Sequence, residues 1–184
     1  AGYLDVVGVG TAESNYNFSK EQFKKALEIK HPYRFDSVIE FTQAAIKASI
    51  AEKMNAETRT ADFKLAEQEM KNLIFYQPRQ TYYQYLLGRL YSEWGRYDVT
   101  YFNLAEIAFH EAEKLSPARQ QIFFGLGQMY LFAKQYDRAE EMFRHIVELE
   151  PRVGEAHWYL GLTLEQFAKN KEALSEFDLA YQYG

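Results

Sequence analysis

The feature that most constrains this chain is a sequence pattern that recurs every 34 residues, between Pro117 and Pro151 and again after Pro151. The first period carries its core residues in a fixed order: Phe123, Leu126, Gly127, Tyr130, Ala139 and Phe143. The first, second and fourth of these are three to four residues apart, so they share one helix face. A proline lacks a backbone N–H and cannot continue a helix, so it ends one unit and starts the next. The pattern therefore predicts a series of helix pairs.

This order of residues resembles the tetratricopeptide repeat (TPR), a helix pair that stacks into a solenoid. The resemblance implies an all-α, right-handed superhelical TPR solenoid. Within a pair, Gly127 lets the two helices approach closely, Ala139 is the small partner on the second helix, and Phe143 fills the space between neighbouring pairs. The expected count is four helix pairs preceded by one extra helix.

The proline spacing also predicts boundaries along the chain. Residues 1–17 are interpreted as a leader or linker and residues 18–184 as the TPR domain. That domain divides into a lone helix at 18–31 and pairs at 32–77, 78–116, 117–150 and 151–184. Ser19 is the expected N-cap of the lone helix, with Gln22 completing a capping box, and Pro32 closes it. The first two pairs are longer than the 34-residue period, and their additional residues are expected around Ala51–Thr60 and Tyr97–Asn103.

Composition excludes several classes of protein. The chain has no cysteine, which removes disulfides, thiolate chemistry and cysteine zinc sites. Its net charge of −5 argues against nucleic acid as a partner, and no apolar run reaches the roughly 20 residues that span a bilayer. The glycine-rich start, 6–10, has no third glycine where a nucleotide-binding turn needs one. Because the first residue is Ala1, we interpret the chain as a processed protein or a piece of a longer one.

No catalytic or metal-binding constellation is apparent. The four histidines are His31, His110, His145 and His157, and none is spaced from another as a metal ligand pair would be. Glutamates such as Glu140 and Glu141 alternate with basic residues and indicate solvated helix faces. No nucleophile, base and orienting group can be brought together from the sequence. We therefore expect a protein that is not an enzyme and that uses no cofactor and no metal.

The resemblance also implies which side chains line the concave groove, because the first helices of TPR pairs face inward. The residues expected there are Tyr82, Tyr85, Arg89, Gln121, Phe124, Gln128, Phe132, Glu155, Trp158 and Leu162. The fifth position of the repeat is aromatic in three consecutive pairs, as Tyr85, Phe124 and Trp158, which suits a peptide-binding groove because rigid aromatic rings offer contact area at low entropic cost. The alternative is that these rings pack against a neighbouring repeat or the N-terminal segment. The Lys and Asn of carboxylate-clamping TPR domains are absent from these positions.

A second resemblance covers residues 18–183. The runs 115–122 and 153–161 are similar to the TPR tails of bacterial O-antigen ligase/polymerase-family membrane proteins. This resemblance implies a soluble segment associated with the cell envelope, without the membrane part that joins polymers.

These observations predict a non-enzymatic module that binds a protein or peptide ligand in an aromatic groove. The alternative is a self-assembling module whose groove is filled by its own chain or by another copy. Leu174, Phe177 and Tyr181 lie on the last helix with no polar capping helix after them, so we expect them to mediate self-association. The alternative at this end is that Tyr181 and Tyr183 fold back over the array.

Overall fold

The computed structural model describes residues 12–29 and 34–184, and these residues form nine α-helices and no strand. The helices are α1 Ala12–Ile29, α2 Arg34–Ile50, α3 Ala56–Tyr76, α4 Thr81–Gly95, α5 Tyr101–Leu115, α6 Gln120–Phe132, α7 Tyr136–Leu149, α8 Gly154–Gln166 and α9 Asn170–Tyr183. The predicted all-α fold is confirmed. Within the described ranges, no helix combines the length and the apolar character that a bilayer span requires.

The helices stack as a layered array. Consecutive helices pack against each other throughout, and α2, α4, α6 and α8 also contact one another in series. Because short loops join the helices of each pair, the two helices run antiparallel. The series of first helices therefore forms one continuous face of the solenoid, and this face carries the candidate site.

The N-terminal helix begins earlier than predicted. α1 starts at Ala12, so residues 12–17 are helical and do not belong to a leader, and Ser19 lies inside the helix where it cannot be an N-cap. The extra turns are held by tertiary contact, since Tyr16 is buried and its hydroxyl donates to Asp62 on α3. The rest of the expected leader, 1–11, and the helix end expected at Pro32 lie outside the described residues, as does His31.

The additional residues of the first pair lie partly where they were predicted. α2 has 17 residues against 13 in α6, and 51–55 form the turn after it, but 56–60 belong to α3, which has 21 residues against 14 in α7. Asn55 sets the start of α3, because its side chain accepts a hydrogen bond of 2.8 Å from the backbone N–H of Thr58. In the second pair, a loop at 96–100 joins α4 to α5, close to the expected position.

A glycine facing a phenylalanine sets the helix spacing within the last three pairs. A Cβ added at Gly127 would lie 2.7 Å from the Phe143 ring. The same contact recurs at Gly88 with Phe109 and at Gly161 with Phe177. A side chain at these glycines would therefore have to displace a ring, as the TPR resemblance implies.

Candidate partner-binding groove

A groove of about 330 Å³ runs along the face formed by the first helices. Its lining comes from α2, α4, α5, α6 and α8: Ile46, Ile50, Arg89, Ser92, Glu93, Arg96, Phe109, Gly125, Gln128, Phe132 and Tyr159. Three residues predicted from the sequence are among them, namely Arg89, Gln128 and Phe132. The groove thus combines polar and apolar side chains from separate helix pairs.

One end of the groove is rich in hydrogen-bond donors. Arg89 interacts electrostatically with the hydroxyls of Tyr85 and Tyr159, and Gln128 and Tyr159 both line the groove. Burial raises the pKa of Tyr85 and of Tyr159 above the ordinary value of 10.0, while the positive charge of Arg89 opposes that rise. Both phenols are therefore neutral at physiological pH, and Tyr159, which lines the groove, can donate a hydrogen bond to an acceptor there.

The acidic group of the groove is already neutralised. Glu93 is only 3% exposed, and its carboxylate accepts hydrogen bonds from Ser49 Oγ at 2.8 Å and Arg96 Nη1 at 2.9 Å. Arg89 differs, because among the described residues no carboxylate forms an ion pair with it. The groove therefore has one positive charge that is not compensated by a carboxylate.

The other end of the groove is apolar and open. Ile50 is 50% exposed and Phe132 is 45% exposed. The Arg96 guanidinium lies 5.3 Å from the centroid of the Phe132 ring, and this contact leaves much of the ring exposed. Exposed apolar side chains in a concave site favour an apolar ligand group.

The aromatic residues at the fifth position of the repeat pack within their own pairs. The ring centroid of Tyr85 lies 6.0 Å from that of Phe109 and Phe124 lies 6.4 Å from Phe143. Trp158 lies 5.1 Å from Phe177 on α9 and remains half exposed. Phe124 and Tyr85 are partly buried against the core.

The remaining predicted groove residues are dispersed. Tyr82 is hydrogen-bonded to Gln43 of α2, and Gln121 is exposed and accepts a hydrogen bond of 3.0 Å from Arg119. Leu162 is partly buried. Glu155 and Trp158 line a separate cavity of about 370 Å³ at the α8–α9 end of the array.

Sequence reasoning missed the contribution of α2 and Tyr159. Ile46 and Ile50 are four residues apart and so share a helix face, which was a readable signal. It was overlooked because α2 has Thr42 in place of the glycine that marks the other first helices.

The end of the array exposes apolar groups. Tyr181 is 94% exposed and Leu174 is 63% exposed, while Phe177 is partly buried under Trp158. Tyr181 therefore does not fold back over the last pair. The Tyr183 ring lies 5.7 Å from His157 and is partly buried.

The histidines within the described ranges have structural contacts. His157 is buried, with Nδ1 at 2.6 Å from Glu176 Oε2 and Nε2 at 2.9 Å from the Pro151 carbonyl oxygen. These bonds tie α8 to α9 and to the preceding loop. Across the described part of the chain, no three His, Asp or Glu side chains are grouped to hold a metal ion.

Comparison with known proteins agrees with this geometry. Residues 120–153 match the family model of the tetratricopeptide repeat. This match covers one helix pair, α6 and α7. No curated protein matches the sequence.

Several solved structures share the whole architecture. TTC0263, a thermophilic TPR protein of Thermus thermophilus, superposes with a TM-score of 0.70 at 16% identity, over 95% of this chain and 92% of that one. A crystal structure of MamA gives a TM-score of 0.64 at 17% identity, over 99% of this chain and 96% of that one. MamA 41-end from Desulfovibrio magneticus RS-1 gives 0.58 at 16% identity, over 96% and 97%. At these identities the likeness establishes the fold.

Proposed function

We propose that this TPR chain is a non-enzymatic interaction module that holds a peptide or helical segment of a partner protein in its groove. The observation that carries the proposal is the groove itself, in which an uncompensated Arg89 lies along the same face as the exposed Ile50 and Phe132. Peptide sites combine apolar contact area with a few polar groups that fix orientation. The groove offers both.

The test is selection of peptides from a displayed random library on the immobilised protein. Phe132→Ala removes an exposed ring from the groove, and binding of the selected peptides should weaken about tenfold or more, as expected for a central aromatic contact. Phe75→Ala is the matched control, because Phe75 is 80% exposed on α3 and does not line the groove. Equal affinities for both variants and the unmodified protein would place binding outside the groove and contradict the proposal.

A second candidate function is self-assembly through the α8–α9 end. Phe143 is stacked by Tyr159 of the following pair at a centroid distance of 5.3 Å. Phe177 holds the equivalent position on α9, beside Trp158 and the exposed Leu174 and Tyr181. A second copy could cover this face by an isologous contact, in which each copy buries the same residues of the other.

Sedimentation over a range of protein concentrations tests this candidate. A dimer should form in the unmodified protein and dissociate in Leu174→Glu, because that change places a charge at the centre of the contact. Phe75→Glu, which introduces the same charge on an exposed aromatic outside this face, should leave the dimer intact. A monomer at every concentration would rule out self-assembly.

The resemblance of residues 115–122 and 153–161 supports a place in the tail of an envelope polysaccharide ligase or polymerase. In such a parent protein, deletion of this segment should impair polymer joining. Unimpaired joining would contradict the assignment.

A further inference from the structure

We infer that the groove recognises a side-chain carboxylate of the partner segment through Arg89, with an aliphatic side chain of the same segment placed between Ile50 and Phe132. This inference rests on the proposed function and names the partner's chemistry: an acidic residue and an aliphatic residue at a fixed spacing.

The charge pattern of the groove supports the acidic residue. Arg96, Arg138 and Arg144 each form an ion pair with a glutamate of this chain. Arg89 is partly buried, lines the groove and forms no such ion pair with a described carboxylate. A carboxylate entering the groove would gain a charge-assisted hydrogen bond from Arg89, which is stronger than a bond between neutral groups.

Neutral donors beside Arg89 complete the carboxylate site. Arg89 interacts electrostatically with the hydroxyls of both Tyr85 and Tyr159, and the Gln128 amide lines the groove together with Tyr159. These groups lie on three different first helices, α4, α6 and α8. A carboxylate that bridges them would link three repeats.

The spacing follows from the geometry of α4. Arg89 lies on α4 and Arg96 is its C-cap, which keeps helical dihedral angles, so the two are about two turns or roughly 10 Å apart at 1.5 Å per residue. Arg96 lies over Phe132, so that ring marks the far end of the site. An extended peptide advances about 3.3 Å per residue, so the acidic and aliphatic residues should be about three positions apart.

A single side-chain carboxylate fits better than a chain terminus or an acidic run. Arg96 is already paired with the buried Glu93, so only one cation of this groove lining lacks a carboxylate partner. The net charge of −5 disfavours a partner with a long acidic run.

The experiment measures fluorescence anisotropy with four pools of fluorescein-labelled ten-residue peptides. The first pool fixes Glu three positions before Leu, randomises the other positions and carries a C-terminal amide. The second replaces Glu by Gln, the third places Glu and Leu side by side, and the fourth has the first composition with a free C-terminus.

The expected result is binding of the first pool about tenfold tighter than the second and third, with no further gain for the fourth. Arg89→Gln should remove the preference for Glu over Gln. Arg79→Gln is the matched control, since Arg79 is exposed in the loop between α3 and α4, and it should keep the preference. Thermal melting establishes that each variant is folded; if Arg89→Gln is not, Arg89→Met replaces it.

Three results would overturn the inference, and they separate it from the proposed function. Equal binding of the Glu and Gln pools, with both lost in Phe132→Ala, rejects the carboxylate but keeps the groove as the binding site. Tight binding of the fourth pool alone assigns the carboxylate to a chain terminus. Binding that does not change in Phe132→Ala rejects both the inference and the proposed function.

Discussion

At the scale of single residues, the contact between Gly127 and Phe143 predicts a measurable cost of overpacking. A Cβ at Gly127 would already lie 2.7 Å from the ring, so Gly127→Leu must push α6 and α7 apart. We expect the free energy of unfolding to fall by about 1–3 kcal/mol in urea titrations. Lys64→Leu, on the exposed side of α3, adds the same side chain without crowding and should cost much less. Equal losses would show that the glycine contact is not responsible.

A second residue-scale feature is Glu106, which links three helices. It lies on α5, accepts a hydrogen bond of 3.1 Å from the Tyr130 hydroxyl on α6, and is paired with Arg138 on α7. The bond from Arg138 is the largest cause that holds the pKa of Glu106 below its ordinary value of 4.5, while burial opposes it. A carboxyl whose pKa is lowered in the folded state stabilises the protein above pH 4.5, and this stabilisation is lost as the pH falls through the folded value.

Glu106→Gln should therefore destabilise the protein at pH 7 but not in acid. Because Arg138 is largely exposed, we expect a loss of roughly 0.5 kcal/mol at pH 7, discounted for solvent screening. Urea titrations at a series of pH values measure the difference from the unmodified protein, which should vanish well below pH 4.5. Glu111→Gln, from an exposed pair within α5, is the control. A difference that persists in acid would contradict the account.

Some contacts of single residues could be predicted from the sequence and others could not. The glycine–phenylalanine contacts were predictable because they repeat in register with the prolines. The partners of the core tyrosines were not: Tyr91 donates to Glu67 and Tyr130 donates to Glu106, each on the second helix of the preceding pair. Those glutamates lie among many others on helix surfaces, so their partners depend on the packing of whole helices.

At the scale of elements, α1 packs mainly against one helix, α2. The Phe23 ring stacks on Phe41 of α2 at 4.5 Å, and Lys20 forms an ion pair of 2.7 Å with the buried Asp62 on α3. Repeat arrays unfold in parts because each unit contacts only its neighbours. α1 can therefore be released by a single substitution while the rest of the array stays folded.

Phe23→Ala tests this attachment. Phe23 is fully buried, so the change should cost about 3–5 kcal/mol of local packing. Hydrogen exchange followed by mass spectrometry should then show faster exchange in α1 while α6 to α9 stay protected. Phe18→Ala on the same helix should have little effect, because Phe18 is 64% exposed. Uniformly faster exchange in all helices would mean that the array unfolds as one unit.

Element boundaries show why part of the N-terminal half was harder to predict. α1 extends to Ala12 because Tyr16 and Asp62 meet across the fold, a contact between residues that are distant in the sequence. The length of α3 follows from the Asn55 cap, which was a readable local signal. The regular pairs after Pro117 carry no such exceptions, and their helices follow the repeat.

At the scale of the whole molecule, the fold was predictable because the repeat period determines how pairs stack. The composition of the groove was only partly predictable. Arg89, Gln128 and Phe132 line it, but Trp158, in the same register as Tyr85 and Phe124, lines the end cavity instead. The side chains that surround a given position of the repeat come in part from the neighbouring pair. Within the described residues no pair follows α9, so Trp158 has no such neighbours on that side.

The most direct test of the central claim, that the groove binds the partner segment, is a methyl NMR titration with a peptide selected by display. Ile50 lies in the groove and Ile107 is 60% exposed on α5 outside it, so the two residues form an internal comparison. The account predicts that the methyl resonances of Ile50 shift on saturation while those of Ile107 stay in place. A saturating peptide that shifts Ile107 and leaves Ile50 unchanged would contradict it.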